Sequence, residues 1–293
     1  MAPSPDRFTD PRLTNIAYRG ARSRMKLFHL TDIHCGNPKA PYKATELIGA
    51  LFKFNADFPR KDAYLVISGD VTLQGQNAGY AEAQDIVQRA WLKGGGAPER
   101  IIACPGNHDI CNNGFEAFDA FVYSVRRDNR IRFQKQSACL LSFDEVVFAI
   151  VNSAHHRDHR FGSVDISELK RMLEAAEGSN YQNRVAVVHH HLIGVDGNDL
   201  STIRNAHPFL EVLQDYGFEL LLHGHRHSLS KILIGDQGMR IRAGRSLNFS
   251  TPGYVNGISI HDNESGSWQS ENHFLSKDGA GVDRVAFMAQ GGA

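Results

Sequence analysis

Five short apolar segments, each ending in or followed by Asp, Asn or His, constrain the fold more than any other feature of this sequence. The segments resemble strands and cover residues 25–31, 62–69, 100–106, 184–191 and 218–225. Segments with helical periodicity separate most of them, and this order predicts an α/β fold with parallel strands. Because ligands of such folds collect at the carboxyl ends of the strands, we expect the polar residues there to converge on one site.

The polar residues at the carboxyl ends of the five segments are of the types that a metal site needs. In chain order they are Asp32 and His34, then Asp70, then Asn107 with His108 and Asp109, then His189, His190 and His191, and finally His225 and His227. Each short motif is common by chance, but the ordered set is specific. The chain contains 15 histidines, and histidine is the commonest metal ligand.

Helical periodicity marks four further segments, and the end of the chain is rich in strand-like segments. The predicted helices cover residues 79–93, 114–127, 165–177 and 203–217, and residues 139–153 predict a hairpin. Five strand-like segments follow at residues 229–235, 239–243, 245–250, 256–262 and 267–275. They suggest a second, mostly antiparallel sheet. The predicted division is a flexible arm at residues 1–24, one domain at residues 25–275 and a loose tail at residues 276–293.

Charge and cysteine usage limit the partners and the compartment. The chain has 32 basic and 32 acidic residues and thus zero formal net charge, so the composition demands neither nucleic acid nor an anionic membrane. No segment is long and apolar enough to span a bilayer, and residues 1–24 contain no apolar signal core. The four cysteines form no C-x-x-C pair. We therefore expect a cytoplasmic protein with reduced thiols.

The motifs "DIH", "GD", "GNHD", "HHH" and "GHRH", in this order, resemble the five sequence blocks of the calcineurin-like metallophosphoesterases. The resemblance covers residues 25–262, and "NSAHHRDHRFG" with "ELKRML" resembles the family's sequence between its third and fourth blocks. It implies a four-layer α/β/β/α sandwich with two mixed sheets and a pair of metal ions at one sheet edge. The implied activity is metal-dependent hydrolysis of a small phosphate ester.

The resemblance also implies a ligand set for the two ions. Asp32, His34 and His227 would hold one ion, Asn107, His190 and His225 would hold the other, and Asp70 would bridge them. The fourth block leaves open which histidine is the ligand, because this chain has "HHHLIG" where the family usually has His-His-Pro. Placing Leu192 at the proline selects His190, whereas a slip of one residue selects His189 or His191. The nitrogen and oxygen donors suit Mn, Fe or Zn.

In the family pattern a hydroxide that bridges the two metal ions attacks phosphorus in line with the leaving oxygen. His108 would act as general acid toward the leaving group or stabilise charge on the phosphoryl group. Asp109 would either orient the His108 ring or stabilise the turn. The candidate substrate contacts are Asn107, His108, Asn205 and His207. The last two equally suit the start of a helix, and the loop "HHRDHR" at residues 155–160 faces either substrate or solvent.

Within the superfamily, the closest resemblance is to the bacterial class III cyclic-nucleotide phosphodiesterases, on the histidine-rich fourth block, "STIRNAHPFLEVL" and "GHRH". Protein serine/threonine phosphatases carry an arginine that "GDVTLQG" lacks and Glu at the position of Asp109. Hydrolases of lipid A precursors carry Arg at the position of His108. We therefore expect a phosphodiesterase that acts on a small substrate such as a cyclic nucleotide. The alternatives are a phosphomonoesterase, a nuclease or a non-catalytic scaffold, and a homo-oligomer stays open.

Overall fold

Two six-stranded sheets form the centre of the protein. The structure is a computed structural model, and it describes residues 25–56, 63–176, 181–194, 196–236, 238–263, 267–277 and 285–289. The predicted N-terminal arm, residues 1–24, lies outside the described residues. Within the described residues, no helix combines the length and the apolarity needed to cross a bilayer.

The order of strands and helices follows the predicted alternation through the first two thirds of the chain, apart from a helix at residues 44–56 that the sequence pattern did not predict. The strands are β1 (Lys26–Leu30), β2 (Ala63–Ser68), β3 (Ile101–Cys104), β4 (Ala138–Ser142), β5 (Val146–Val151), β6 (Asn183–Val187), β7 (Leu220–His223), β8 (Ser230–Ile234), β9 (Met239–Ala243), β10 (Gly257–Asp262), β11 (Gln269–Lys277) and β12 (Val285–Ala289). The helices are α1 (Ala44–Ala56), α2 (Asn77–Val87), α3 (Glu116–Arg126), α4 (Ile166–Ala175) and α5 (Ala206–Asp215). A π-helical turn, Gln88–Leu92, continues α2. Short 3-10 turns cover Pro98–Arg100 and Asn107–Asp109.

Both sheets are mixed. The first has the order β12-β11-β10-β1-β2-β3, in which β1 to β3 are parallel and β10 to β12 antiparallel. The second has the order β4-β5-β6-β7-β9-β8, with parallel strands between two antiparallel edges. The expected separate antiparallel sheet is wrong, because the C-terminal strands divide between the two sheets. They pair with the sides of β1 and β7 that would otherwise be unpaired edges.

The packing of side chains produces four layers. In β6 and β7, Val185 and Leu222 face the core between the sheets, whereas Ala186 and Leu221 face the core beneath α4 and α5. This is the alternation expected of strands that are buried on both faces. On the other side of the first sheet, Phe28 packs against aromatic rings of α1 and of the π-helical turn. The predicted four-layer α/β/β/α sandwich with two mixed sheets is confirmed.

The C-terminal part of the chain differs from the sequence prediction. The sequence predicts a loose tail over residues 276–293, but β12 pairs with β11 across residues 273–277. Phe287 of β12 also packs against Phe54 of α1, with ring centroids 5.1 Å apart. Apolar burial thus extends the domain to residue 289. Residues 245–250, predicted as a strand, form only a single bridge between Ser246 and Thr31.

Candidate metal centre

The loops that follow β1, β2, β3, β6 and β7 meet at one edge of the sandwich, as the sequence predicts. The first two loops are joined by backbone hydrogen bonds, from Asp32 N to Gly69 O (3.1 Å) and from His34 N to Asp70 O (3.0 Å). The loop after β7 joins them, since His225 N donates to Asp32 Oδ2 at 3.0 Å. The three loops therefore hold their polar side chains in one cluster.

Several of these residues have an unusual backbone. Asp32, His34, Asp70, His225 and His227 have φ values of 50°, 50°, 49°, 73° and 56°. A non-glycine residue with positive φ is uncommon, and each costs of order 1–3 kcal/mol unless the surroundings enforce it. Such strain concentrates at functional sites.

The first candidate ligand group consists of Asp32, His34 and His227. His227 Nε2 lies 3.2 Å from Asp32 Oδ1 and 3.4 Å from His34 Nε2. Within the described part of the chain, Asp32 Oδ1 is buried and has no hydrogen-bond partner, which is costly for a carboxylate oxygen. The opposite nitrogen of His227, Nδ1, contacts Thr251 Oγ1 at 2.9 Å. That contact fixes the ring so that Nε2 faces the cluster.

The second candidate group consists of Asp70, His189 and His225. His189 Nε2 lies 3.2 Å from Asp70 Oδ2 and 3.2 Å from His225 Nδ1. His189 Nδ1 donates to the backbone oxygen of Ser68 at 2.8 Å, so its Nε2 is the nitrogen that faces the cluster. Asn107 Oδ1 is buried and has no hydrogen-bond partner among the residues that the structure describes, while its Nδ2 donates to His159 O at 3.3 Å. The amide is thus turned to offer its oxygen.

Asp70 connects the two groups. Its Oδ2 lies 3.2 Å from His189 Nε2 of the second group and 3.9 Å from His34 Nε2 of the first. Its Oδ1 accepts a hydrogen bond from His108 N at 2.9 Å. Donor atoms that share one transition metal at about 2.1 Å lie roughly 3.0–3.4 Å apart. The closest donor separations within each group match this range, and the unpartnered oxygens fit a pair of cations.

Comparisons with known proteins identify the family. Residues 25–229 match the family model of the calcineurin-like phosphoesterases. The chain belongs to this family. It is accordingly a metal-dependent phosphoester hydrolase, and the predicted family resemblance is confirmed. A comparison with curated protein sequences finds no match.

Solved structures share the fold at low sequence identity. A dimetal phosphatase from Danio rerio superposes with a TM-score of 0.61 at 13% identity, over 90% of this chain and 98% of that one. The protein TT1561 of Thermus thermophilus gives 0.54 at 13% identity, over 85% and 99%. GAP50, described as the anchor in the inner membrane complex of Plasmodium, gives 0.53 at 12%, over 91% and 89%. At these identities the likeness establishes the fold alone.

The structure favours His189 over His190, the residue that the sequence pattern assigns to the ligand set. His190 Nδ1 contacts Ser153 Oγ at 2.7 Å, and its ring packs against the His225 ring with centroids 4.6 Å apart. It belongs to neither candidate group. The reason is the position of the ring nitrogens: His189 Nε2 lies 3.2 Å from both Asp70 Oδ2 and His225 Nδ1, whereas Ser153 occupies Nδ1 of His190. The alternative slip to His189 therefore fits the geometry.

The charges of the site suit cation binding. Burial lowers the pKa of His34 to about 4 and that of His225 to about 3, so both rings are neutral at pH 7. Burial would raise the pKa of Asp70, but His189 holds it well below its usual value. Burial disfavours the protonated form of His189, yet Asp70 raises its pKa to about 9. In the metal-free protein, a proton on His189 thus balances the Asp70 carboxylate.

His108 lies beside the two groups. Its Nδ1 contacts Leu73 O at 2.8 Å, and its ring meets the His34 ring edge-on with centroids 5.1 Å apart. Since the Leu73 oxygen can only accept, Nδ1 carries a proton and Nε2 is left for another partner. This orientation suits the predicted role of His108 in proton donation.

One of the two roles predicted for Asp109 is to orient the His108 ring. The structure does not place the Asp109 carboxylate in that role. This carboxylate accepts hydrogen bonds from the backbone nitrogens of Gly106, Val71 and Thr72 at 3.0–3.1 Å and from Tyr80 OH at 3.0 Å. Burial, followed by the nearby Asp70 charge, raises its pKa to about 6. The alternative role, a turn-stabilising carboxylate, fits these contacts.

The two predicted substrate contacts at the start of α5 have other roles in the structure. Asn205 Oδ1 accepts from Val164 N at 2.9 Å and its Nδ2 donates to Val164 O at 2.7 Å. His207 is 85% exposed and pairs with Glu211 along α5 at 3.5 Å. Asn205 therefore fixes the backbone at residue 164, and His207 belongs to the helix surface.

Sequence reasoning missed two residues that contact the ligand groups from the loop after β9. Thr251 contacts His227, as described above, and Phe249 packs against the rings of His34 and His227 at 4.6 and 4.7 Å. No motif marks them, because the loop is distant in sequence from the five blocks. Phe249 excludes water from one side of the first group.

Proposed function

We propose that the protein is a phosphodiesterase with a dinuclear metal centre that acts on a small substrate such as a cyclic nucleotide. The observation that carries this proposal is the pair of donor groups that share the Asp70 carboxylate, with His108 beside them. In place of the predicted His190, we assign His189 to the second ion, together with Asn107 and His225. Asp32, His34 and His227 would hold the first ion.

The two groups contain only nitrogen and oxygen donors, which suits Mn, Fe or Zn. Ions bound there would polarise the phosphoryl group and activate a water molecule as a nucleophile near neutral pH. Asp32 and Asp70 remain ionised at pH 7, since their pKa values are held below the usual range. These two carboxylates and the neutral rings of His34 and His225 are already in the protonation states that metal binding requires, whereas His189 must first lose a proton.

His108 is the residue we assign to the leaving group. Its Nδ1–H is directed to Leu73 O and its backbone N–H to Asp70 Oδ1, so one hydrogen bond holds the ring and another holds the backbone beneath it. In the protonated ring, Nε2–H can be transferred to the departing oxygen as the ester bond breaks. An alkoxide leaving group needs this proton far more than a p-nitrophenolate does.

A phosphodiester is favoured over a monoester by the sequence resemblance of the fourth and fifth blocks to cyclic-nucleotide phosphodiesterases. A monoesterase of the same family is the second candidate, and the printed description of the Danio rerio neighbour as a dimetal phosphatase is compatible with it. The cytoplasmic location and the homo-oligomer stay predictions.

The test is a direct assay. Purified protein loaded with Mn²⁺ is expected to hold two ions per chain and to hydrolyse bis-p-nitrophenyl phosphate faster than p-nitrophenyl phosphate. A screen of 2′,3′- and 3′,5′-cyclic nucleotides then narrows the substrate. His207→Ala, on the exposed face of α5, serves as a control that leaves activity unchanged. A preference for the monoester would overturn the diesterase assignment, and absence of bound metal would overturn the assigned centre.

A further inference from the structure

A rigid wall of two chain segments stands beside the second ligand group. We define it as residues 154–164 and 202–205. Gly162 N donates to Thr202 O at 3.0 Å, and Arg204 N donates to Gly162 O at 2.9 Å. The two hydrogen bonds of Asn205 with Val164 continue this pairing. The wall is therefore a two-segment ribbon and not a free loop.

The wall is attached to the metal centre at two places. Its residue His159 accepts a hydrogen bond through its backbone oxygen from Asn107 Nδ2 at 3.3 Å. Ile203 N donates to His191 O at 2.9 Å, two residues beyond the candidate ligand His189. A side chain on the exposed part of the wall is thus held in a fixed place relative to the phosphoryl position.

The wall is electropositive. It carries Arg157, Arg160 and Arg204, all exposed, against the single carboxylate of Asp158. Asp158 is committed to Arg160, with which it pairs at 2.9 Å. Among the described residues, no carboxylate forms an ion pair with Arg157 or Arg204. Unbalanced guanidinium groups at the edge of a site attract anions and raise their local concentration.

Arg204 has the geometry of a prepared binding group. Its guanidinium carbon lies 3.4 Å from the centroid of the Phe161 ring. The other partner of that ring is His156, which stacks on it at 4.5 Å and 26°. Stacking restrains the guanidinium plane while its N–H edges stay available, and such a planar fork matches carboxylate or phosphate oxygens.

We propose that Arg204 is a specificity-determining residue that selects phosphodiesters with a second anionic group, a carboxylate or a phosphate, on the substituent that faces the wall. This rests on the proposed diesterase function and narrows its substrate class. A simple cyclic nucleotide has no charge beyond its diester and would leave Arg204 without a partner. Arg157 contributes attraction at longer range, since its side chain lies on the same ribbon.

The test compares two chromogenic diesters with the same p-nitrophenyl leaving group. One carries a carboxypropyl substituent and the other its neutral carbamoylpropyl analogue. We expect kcat/KM to be about tenfold higher for the charged ester, equivalent to about 1.4 kcal/mol, with the difference in KM and not in kcat. The preference should weaken at high salt, because an exposed charge is screened.

Three variants isolate the role of Arg204. Arg204→Gln is expected to abolish the preference while leaving the neutral ester unaffected, and Arg204→Lys to retain part of it. Arg89→Gln is the matched control, since Arg89 pairs with Asp85 on the surface of α2 and its π-helical extension. A preference that survives in Arg204→Gln would overturn the proposal, as would equal kcat/KM for the two esters in the unmodified protein.

Binding provides a readout that does not depend on turnover. Calorimetry with the corresponding methylphosphonate esters, which lack the p-nitrophenyl group, should give a Kd about tenfold lower for the carboxylate than for the carboxamide. Equal Kd values refute the role of Arg204 whether or not diesters are cleaved. If neither chromogenic diester is hydrolysed but the Kd ratio is found, only the diesterase assignment fails.

Discussion

Replacing His189 with alanine and, separately, His190 with alanine distinguishes the two histidines that compete for the second metal ion. Both rings are buried, so each truncation leaves a cavity of similar size. By analogy with other buried rings, each is expected to lower the free energy of unfolding by about 3–5 kcal/mol. This shared cost cancels when the two variants are compared, and the remaining difference reports ligation.

The expected difference is large. His189 Nε2 lies 3.2 Å from both other donors of its group, and its loss removes one of the ion's direct ligands. Loss of a residue that only hydrogen-bonds to a metal ligand lowers metal affinity about 10–100-fold. We therefore expect His189→Ala to lower the affinity for the second ion by more than about 100-fold, or more than about 2.7 kcal/mol. His190→Ala loses its contact with Ser153 Oγ and should keep both ions.

The assay is metal stoichiometry after loading with Mn²⁺ and gel filtration, followed by competition with a chelator of known affinity. His189→Ala should retain one ion per chain and His190→Ala two. Thermal unfolding of the metal-free variants checks that the packing losses are comparable. If His190→Ala loses an ion while His189→Ala keeps two, the assignment of His189 to the second ion is refuted.

Three other measurements test the centre. Thr251→Val removes the hydroxyl that contacts His227 Nδ1 and should lower the affinity for one of the two metal ions about 10–100-fold. Thr251→Ser keeps the hydroxyl and should not lower it. Equal metal affinities in both variants would exclude an orienting role for Thr251. His108→Ala should lower kcat about 10²–10⁴-fold for an ester with an alkoxide leaving group with metal content unchanged; loss of metal instead would make His108 a ligand. Because Asp70 raises the pKa of His189 to about 9 in the metal-free protein, this ring is protonated at neutral pH and must lose its proton to bind an ion. Metal affinity should therefore rise with pH until about 9, with proton release measurable by calorimetry in buffers of different ionisation enthalpy; a pH-independent affinity would contradict the shift.

The sequence predicts the fold because its strongest signal is an order of strands and polar residues rather than any single motif. Parallel strands deliver their carboxyl ends to one edge, so Asp32, Asp70 and His225 can be placed near one another without coordinates. The C-terminal strands cannot be assigned to sheets in this way. Their pairing depends on which edges of β1 and β7 are open, and that is a property of the assembled sheets.

The errors within the site have local causes. The choice of His190 depends on a proline position that this chain does not contain, whereas the ring contacts that favour His189 exist only in the folded protein. The carboxylate of Asp109 accepts hydrogen bonds from three backbone nitrogens and from Tyr80. The motif "GNHD" alone does not predict these contacts. Asn205 belongs to the wall beside the second group, but its two hydrogen bonds serve the backbone of residue 164.

The left-handed backbone of five candidate ligands has a consequence for how such a centre could be lost. Each of these residues is costly in that conformation, of order 1–3 kcal/mol, and an ion that binds several of them offsets the cost. Asparagine and glycine tolerate the same φ better than other residues. A descendant of this chain that no longer needed metal would gain stability by exchanging the histidines at positions 34, 225 and 227 for such residues. Its loops would keep their conformation while metal binding and catalysis were lost. The left-handed turns would then remain in a protein that no longer has the activity.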